Sequence, residues 1–330
     1  MKVAVLHDRV PENATEDQRD VLIEIETVSK ALRNLGYEPV NVTFTLNIEK
    51  VIKTLRAVKP AFVFNLVESV EGQGQMIHIA PSILDYCKIP YTGAGTDAIY
   101  ITSNKLLTKR LFASSHILTP PWVSAENFDD KAVEPETSYI IKSLWEHASV
   151  GLDEDSIVHI KNAAQLRREL NRRKKALGNC YAEAYIEGRE FNLSLLAEKG
   201  GPEVLPPAEI IFDNYPPGKK RIVGYRAKWV ADSFEFKHTP RTFDFPKEDT
   251  PLLKKMIKIS RKCWDIFGLR GYARVDFRVD NTGNPWALEI NVNPCISPDG
   301  GFFEATEQAG LCFDKVIERI IADSPAGSSR

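Results

Sequence analysis

Cysteine is scarce and scattered. The five thiols (Cys87, Cys180, Cys263, Cys295, Cys312) are odd in number and form no CxxC pair. That argues against a disulfide framework or a zinc site and fits a reducing cytoplasm, the expected location. The six histidines show no HxxxH or HExxH spacing, so none stands out as a metal ligand. No stretch approaches the ~18 uninterrupted apolar residues of a membrane-spanning helix. The opening MKVAVLHD runs straight into a strand, so no signal peptide is expected. The formal net charge of -2 gives no general pull toward nucleic acid or anionic membrane. The one basic run, RRELNRRKK, reads as a solvated helix face rather than an RNA site.

What is present is long enough for two or three domains with substantial cores. KVAVL (2–6) reads as a buried opening strand. Val21, Ile25, Val28, Leu32 and Leu35 recur at three- and four-residue steps, which predicts a helix over 18–35 that Gly36 stops. EPVNVTF, a helix near 47–58 and AFVFNLV complete a strand–helix alternation, the pattern of a doubly wound parallel sheet over about 1–98. Beyond it the spacing predicts a helix over 100–113 carrying Lys105 and Lys109, strands at 138–144 and 180–186, and a basic helix over 162–176. From about 187 the chain turns strand-rich, with helices over 250–266 and near 308–322 and a tail, ADSPAGSSR, expected to be disordered. The fold class is therefore α/β, passing to α+β in the C-terminal half.

ARVDFRVDNTGNPWALEINVN reads as one hairpin with NTGN at its turn. If Asn281 faces Asn284, the pairs run Asp280–Pro285, Arg278–Ala287, Asp276–Glu289 and Arg274–Asn291. One face then carries Arg274, Asp276, Glu289 and Asn291. The other carries Val275, Phe277, Val279, Trp286, Leu288 and Ile290. Cross-strand partners stand about 5 Å apart, so Asp276 and Glu289 are adjacent like charges unless a cation intervenes. An Asp–Glu–Asn oxygen set suits Mg²⁺, which completes its shell with water and phosphate. Arg274 beside it could stabilise an oxyanion. A solvated hairpin face is the alternative, and the strand pair alone does not choose.

Other parts suit a nucleotide. Lys142 ends the apolar strand SYIIK, where a charge is costly unless it meets an anion, and EHASVGL can loop over phosphates. Glu183 and Glu190 flank an apolar strand, placed to accept from an adenine amino group and ribose hydroxyls. Lys228, in the strand-like GYRAKWV, is a further phosphate partner.

CKIPYTGAGTDAIYITSNKLLTK, YIIK with ASVG, AEAYIEGREFNLSLL, LPPAEI, YRAKW and GYARVDF…LEINVNP…AGL occur in this order. Together they resemble the ATP-grasp superfamily, specifically the D-alanine–D-alanine ligase family, over about residues 60–322. The resemblance implies three domains: 1–98, a central ATP-grasp subdomain at 99–186 and a C-terminal one at 187–322, with 323–330 as a tail. It implies an ATP-dependent, ADP-forming carboxylate–amine ligase working through an acyl phosphate. By the matched motifs, Lys105, Lys142 and Lys228 would bind ATP. Glu183, Ala184, Tyr185, Ile186, Glu190 and Leu288 would line the adenosine site. Asp276, Glu289 and Asn291 would hold two Mg²⁺, with Mn²⁺ as a substitute, while Arg274 and Ser149 would serve the chemistry. It also suggests a homodimer through the N-terminal domain.

The substrate end departs from the family. The Gly-Gly-x-Ser-x-Glu segment after the first strand is replaced by HDRVPENATEDQ, and the family's LHG histidine aligns with Glu68. Ala148 stands at a phosphate-loop position that is often Ser, and Trp229 at a Tyr. In the family, that Glu, Ser and Tyr hydrogen-bond to one another near the substrate. In the last loop Cys295 replaces a Gly, and Gly300 and Gly301 replace a Ser-Leu pair that helps anchor a substrate carboxylate. Loss of such partners predicts a substrate other than D-alanine, because buried hydrogen-bonding groups discriminate strongly. Glu68 and Glu71 would suit an amino or guanidino group on an amino acid or short peptide. Cys295, with no basic partner evident, reads as a structural thiol. The rival readings are a nucleotide-binding protein without turnover and a D-alanine–D-alanine ligase proper. The intact Arg274, Asp276, Glu289 and Asn291 favour an enzyme.

Overall fold

The computed structural model describes residues 1–146 and 149–325. The first strands, β1 (Lys2–His7), β2 (Glu38–Thr43) and β3 (Phe62–Asn65), are all parallel in the order β2-β1-β3. Helices α1 (Glu16–Asn34), α2 (Ile48–Val58) and α3 (Ile79–Cys87) connect and cover them. This is the expected parallel arrangement. The α1 stripe of Val21, Ile25, Val28 and Leu32 is buried against Val3, Val5, Phe62 and Phe64, the burial that its spacing demanded.

The helix expected over 100–113 is two helices, α4 (Thr96–Ser103) and α5 (Lys105–Ser114). Asn104 breaks the run, and its side chain accepts from the Leu106 and Leu107 amides at 3.1 Å as the N-cap of α5. The break sets Lys105 at the first position of α5. Next come β4 (Trp122–Ser124), β5 (Thr137–Ser143), β6 (Ile157–Ile160), α6 (Ala163–Leu177) and β7 (Cys180–Ala184). Their antiparallel sheet, in the order β4-β7-β5-β6, has its own core of Tyr139, Ile141, Ile160, Leu166, Leu170 and Ala182.

The third sheet uses β8 (Arg189–Leu196), β9 (Glu203–Val204), β10 (Ala208–Ile210), β11 (Arg241–Thr242), β12 (Tyr272–Val279) and β13 (Pro285–Asn291). Its order is β11-β10-β8-β12-β13, with β9 on β8 and every pair antiparallel. Two short helices, α7 (Tyr225–Trp229) and α8 (Phe234–Lys237), interrupt the passage from β10 to β11, so Lys228 sits on a helix and not in a strand. Helix α9 (Thr250–Phe267) packs Met256, Cys263 and Phe267 onto the sheet. The helix expected near 308–322 is again two, α10 (Gly301–Gln308) and α11 (Phe313–Ala322). The tail begins ordered: the Asp323 carboxylate accepts the Gly271 amide at 2.7 Å, and Ser324 is buried. Residues 326–330 lie outside the described residues. Among those described, no helix is long and apolar enough to cross a membrane.

Candidate active site

A cavity of about 540 Å³ is lined by both antiparallel sheets, α7 and the loop after β13. At its centre is the β12–β13 hairpin. The expected register holds at Asp276↔Glu289 and Arg274↔Asn291, so the four polar residues share one face. It fails nearer the turn, where a bulge makes Phe277 face Ala287, Arg278 face Trp286 and Val279 face Pro285. The extra residue is Leu288. The bulge moves it from the expected core face to the cavity wall and takes Trp286 off the core face, where its indole donates to Asp280 at 2.8 Å.

Arg274 grips Asp276 through two hydrogen bonds of 2.7 and 2.9 Å, and Asn192, opposite on β8, donates to Asp276 at 2.8 Å. The Lys105 ammonium lies 3.9 Å from Glu289 and donates to the Glu146 carbonyl at 2.5 Å. Two carboxylates and an amide on one face, bordered by an arginine and a lysine, make a hard-oxygen donor set that fits Mg²⁺.

The opposite wall is organised around Glu183 of β7, which is 1% exposed. Lys109 reaches one of its oxygens at 2.5 Å and Lys142 the other at 2.7 Å. Burial alone would raise the Glu183 carboxyl, but the two ammonium groups outweigh it and hold it below its ordinary value. Lys109 is fully buried and also donates to Thr119 and the Pro120 carbonyl. No sequence signal marks this role: Lys109 is one lysine among several on a helix, and its partner lies in β7. Glu190 is burdened by burial, which raises its carboxyl, and is offset by Arg278, whose Nε lies 3.3 Å away. Arg278 also lies over the Tyr185 ring, 5.3 Å from its centre. Ala184, Tyr185, Ile186 and Leu288 complete this wall.

Ser149 has a left-handed backbone (φ 61°) and donates to the Val223 carbonyl at 2.9 Å. The Tyr225 amide donates to the Leu152 carbonyl at 3.0 Å, so the segment after Ser149 is tied to the start of α7, which presents Lys228 to the cavity. His147 and Ala148 lie outside the described residues, so the Ser-to-Ala departure has no structural account.

At the substrate end Glu68 lines the cavity, but Glu71 does not. Glu71 lies in a separate polar groove with Arg9, Asn41, Thr45 and Lys50. Asp20 and Glu24, one turn apart on α1, hold the loop after β13. Cys295 Sγ and Ser297 Oγ both donate to Asp20 at 2.9 Å, and the Ile296 amide donates to Glu24 at 2.6 Å. Burial first, then mutual repulsion, pushes Glu24 up to about 8 and Glu68 well above its ordinary value. Burial first, and then the same acids, push the Cys295 thiol up, which suits a structural thiol and disfavours a nucleophile. Gly300 and Gly301 line the cavity beside Arg241.

The model of the family described as "D-ala D-ala ligase C-terminus" matches residues 122–322. The D-alanine–D-alanine ligase of Aquifex aeolicus is 31% identical over 304 residues, covering 90% of this chain and 92% of that one. The chain belongs to the D-alanine–D-alanine ligase family. The Carboxydothermus hydrogenoformans D-alanine–D-alanine ligase is 27% identical over 306 residues, covering 90% of each. The fold agrees: the Bacillus anthracis D-alanine–D-alanine ligase solved with ATP superposes with a TM-score of 0.71 at 21% identity, over 98% of this chain and 97% of that one. As a member of the family this chain is an ATP-dependent, ADP-forming ligase with the ATP-grasp fold.

Proposed function

We propose that the protein joins the carboxylate of one amino acid or short peptide to the amine of another, and that D-alanine is not its preferred substrate. The ligase chemistry is carried by one observation: Arg274, Asp276, Glu289, Asn291, Lys142 and Lys228 all face the same cavity, with Lys105 beside Glu289. Lys105, Lys142 and Lys228 hold the triphosphate, with the Ser149 loop over it. Lys142 leaves Glu183 for a phosphate, while Lys109 keeps Glu183 ionised and fixed for the adenine amino group. Glu190 meets the ribose. Asp276, Glu289 and Asn291 would hold two Mg²⁺, which when bound supply charge neutralisation on the phosphate oxygens.

The γ-phosphoryl group passes to a carboxylate oxygen and ADP departs. The amine then attacks the acyl carbon, the C–O bond to phosphate breaks, and the amine gives up its proton. Arg274 faces the oxyanion formed in that step. The three sheets support a domain division near residues 98 and 186. The resemblance supports a homodimer through the N-terminal domain and a cytoplasmic location.

The substrate reading rests on the acidic end. The Glu68 carboxylate lines the cavity, has no hydrogen-bonding partner among the described residues and lies in the field of Glu24, Asp8 and Asp20. A substrate amino or guanidino group would relieve that repulsion. One observation favours D-alanine instead. The relatives that match over nine-tenths of the chain are named for D-alanine, although the acid–tyrosine pair between α7 and α1, Tyr225 donating to Asp17 at 2.8 Å, is not among the residues lining the cavity. Phosphate release from ATP and Mg²⁺ against single amino acids and pairs, D-alanine included, decides. Turnover best with a cationic substrate, weakened in Glu68→Gln, supports the first reading; turnover best with D-alanine alone replaces it with the second.

A further inference from the structure

Three arginines line the cavity, and two are committed. Arg274 gives two bonds to Asp276. Arg278 donates to the Gly188 and Arg221 carbonyls and pairs with Glu190. Arg241, on β11, is different. Its backbone is fixed by pairing with Ile210, and its Nη1 rests 3.1 Å from Glu304. Among the described residues, Nε and Nη2 donate to nothing. Both partners of the Arg241–Glu304 pair are about a third exposed, so the pair is a weak restraint.

The free edge faces a gap that the sequence makes. A Cβ at residue 301 would lie 2.9 Å from Arg241 Nε and 3.4 Å from Nη2. The 2.9 Å contact would oblige the guanidinium, the far end of a flexible side chain, to shift, so Gly301 leaves it room to stand where it does. The Nε–Nη2 edge is the one that matches a carboxylate with two parallel hydrogen bonds. The same loop lacks the Ser-Leu pair by which the family anchors a carboxylate. The Gly300–Gly301 pair stands in place of the old anchor, and its second glycine leaves room for a new one on the facing strand.

We propose that Arg241 is the specificity residue that reads the free carboxylate of the amine-donating substrate, an α-amino acid or a peptide with an unblocked C-terminus. This rests on the ligase reading above for the substrate's role, but its test does not require turnover. The protein is saturated with ADP and Mg²⁺, and binding of a panel of D- and L-amino acids is compared with that of their C-terminal amides by calorimetry. In the wild type the bound acids should exceed their amides by about ten-fold or more, the scale of a bidentate charged pair. Arg241→Ala should collapse that gap to about three-fold or less, Gly301→Ala should move it the same way, and ADP affinity should not change, which also reports that the variants fold. Arg241→Lys should restore part of the gap. The proposal is overturned if the wild type makes no distinction between acid and amide, or if Arg241→Ala keeps it. Loss of the gap without any phosphate release in the wild type would sink the ligase reading and leave this one standing; turnover with an unchanged gap would do the reverse.

Discussion

Tyr225 and Asp17 are joined by a 2.8 Å hydrogen bond across 208 positions of chain. It fastens α7, which carries Lys228, to the start of α1. Tyr225→Phe should leave melting nearly unchanged, because one partly exposed hydrogen bond contributes only about 1 kcal/mol. It should raise KM for ATP several-fold if α7 must be held for Lys228 to reach a phosphate. Steady-state kinetics with varied ATP checks this, and an unchanged KM would show the bond to be incidental.

Lys109 should matter more than its position on a helix suggests. Lys109→Met leaves Glu183 buried with one cation in place of two. Removing one partner of a buried pair costs about 3–5 kcal/mol. Urea melts should show a loss of that order, and ATP binding should fall with it. Lys109→Met combined with Glu183→Gln should recover stability but not ATP affinity, since the pairing is relieved while the adenine contact stays altered.

The acid nest predicts a pH signature. Glu24 is held neutral in the folded protein up to about 8, whereas an unfolded glutamate ionises near 4.5. A raised carboxyl binds its proton more tightly in the folded state, so stability falls as pH rises from about 4.5 to about 8 and levels off above. Glu24→Gln keeps an acceptor for the Ile296 amide and removes this loss. The variant should therefore gain on the wild type across that window, by ~1–3 kcal/mol at the upper end. Melts at pH 5 and pH 8 read the difference; an equal offset at both would show that Glu24 does not titrate there.

Metal dependence gives a fourth test. Chelation should stop phosphate release, and Mg²⁺ should restore it fully and Mn²⁺ in part. Glu289→Gln should lower kcat/KM by about a hundred-fold or more, within the range lost when a charge-stabilising group is removed. Its melting should shift little, because losing the repulsion of cross-strand Asp276 offsets losing the attraction of Lys105. Activity that survives both treatments would remove the metal from the reading.

Much of this site was legible in the sequence. The NTGN turn and alternating polarity placed Arg274, Asp276, Glu289 and Asn291 on one face, because period two and a tight turn fix register locally. The bulge at Leu288 was not legible, since nothing in WALEIN marks an extra residue; Ala287 is fully buried and its amide donates to the Leu118 carbonyl, a partner distant in the chain. Asn104 was an available signal, an N-cap residue in the middle of an apolar pattern, and it was read through. Lys228 falls in a strand-like pattern because five residues of helix carry too little periodicity to tell. Lys109, Asn192 and Arg278 were out of reach. Each acquires its meaning from a partner on a different strand, and single-sequence patterns do not carry those distances.

The thiol of Cys295, locked against Asp20 with acids around it, has a practical consequence. It should be slow to alkylate, whereas Cys312 at the start of α11 is exposed. A maleimide dye or spin label added to the native protein should therefore attach at Cys312 first and leave the ligand cavity unmarked, so a probe can be placed outside the site with no cysteine removed.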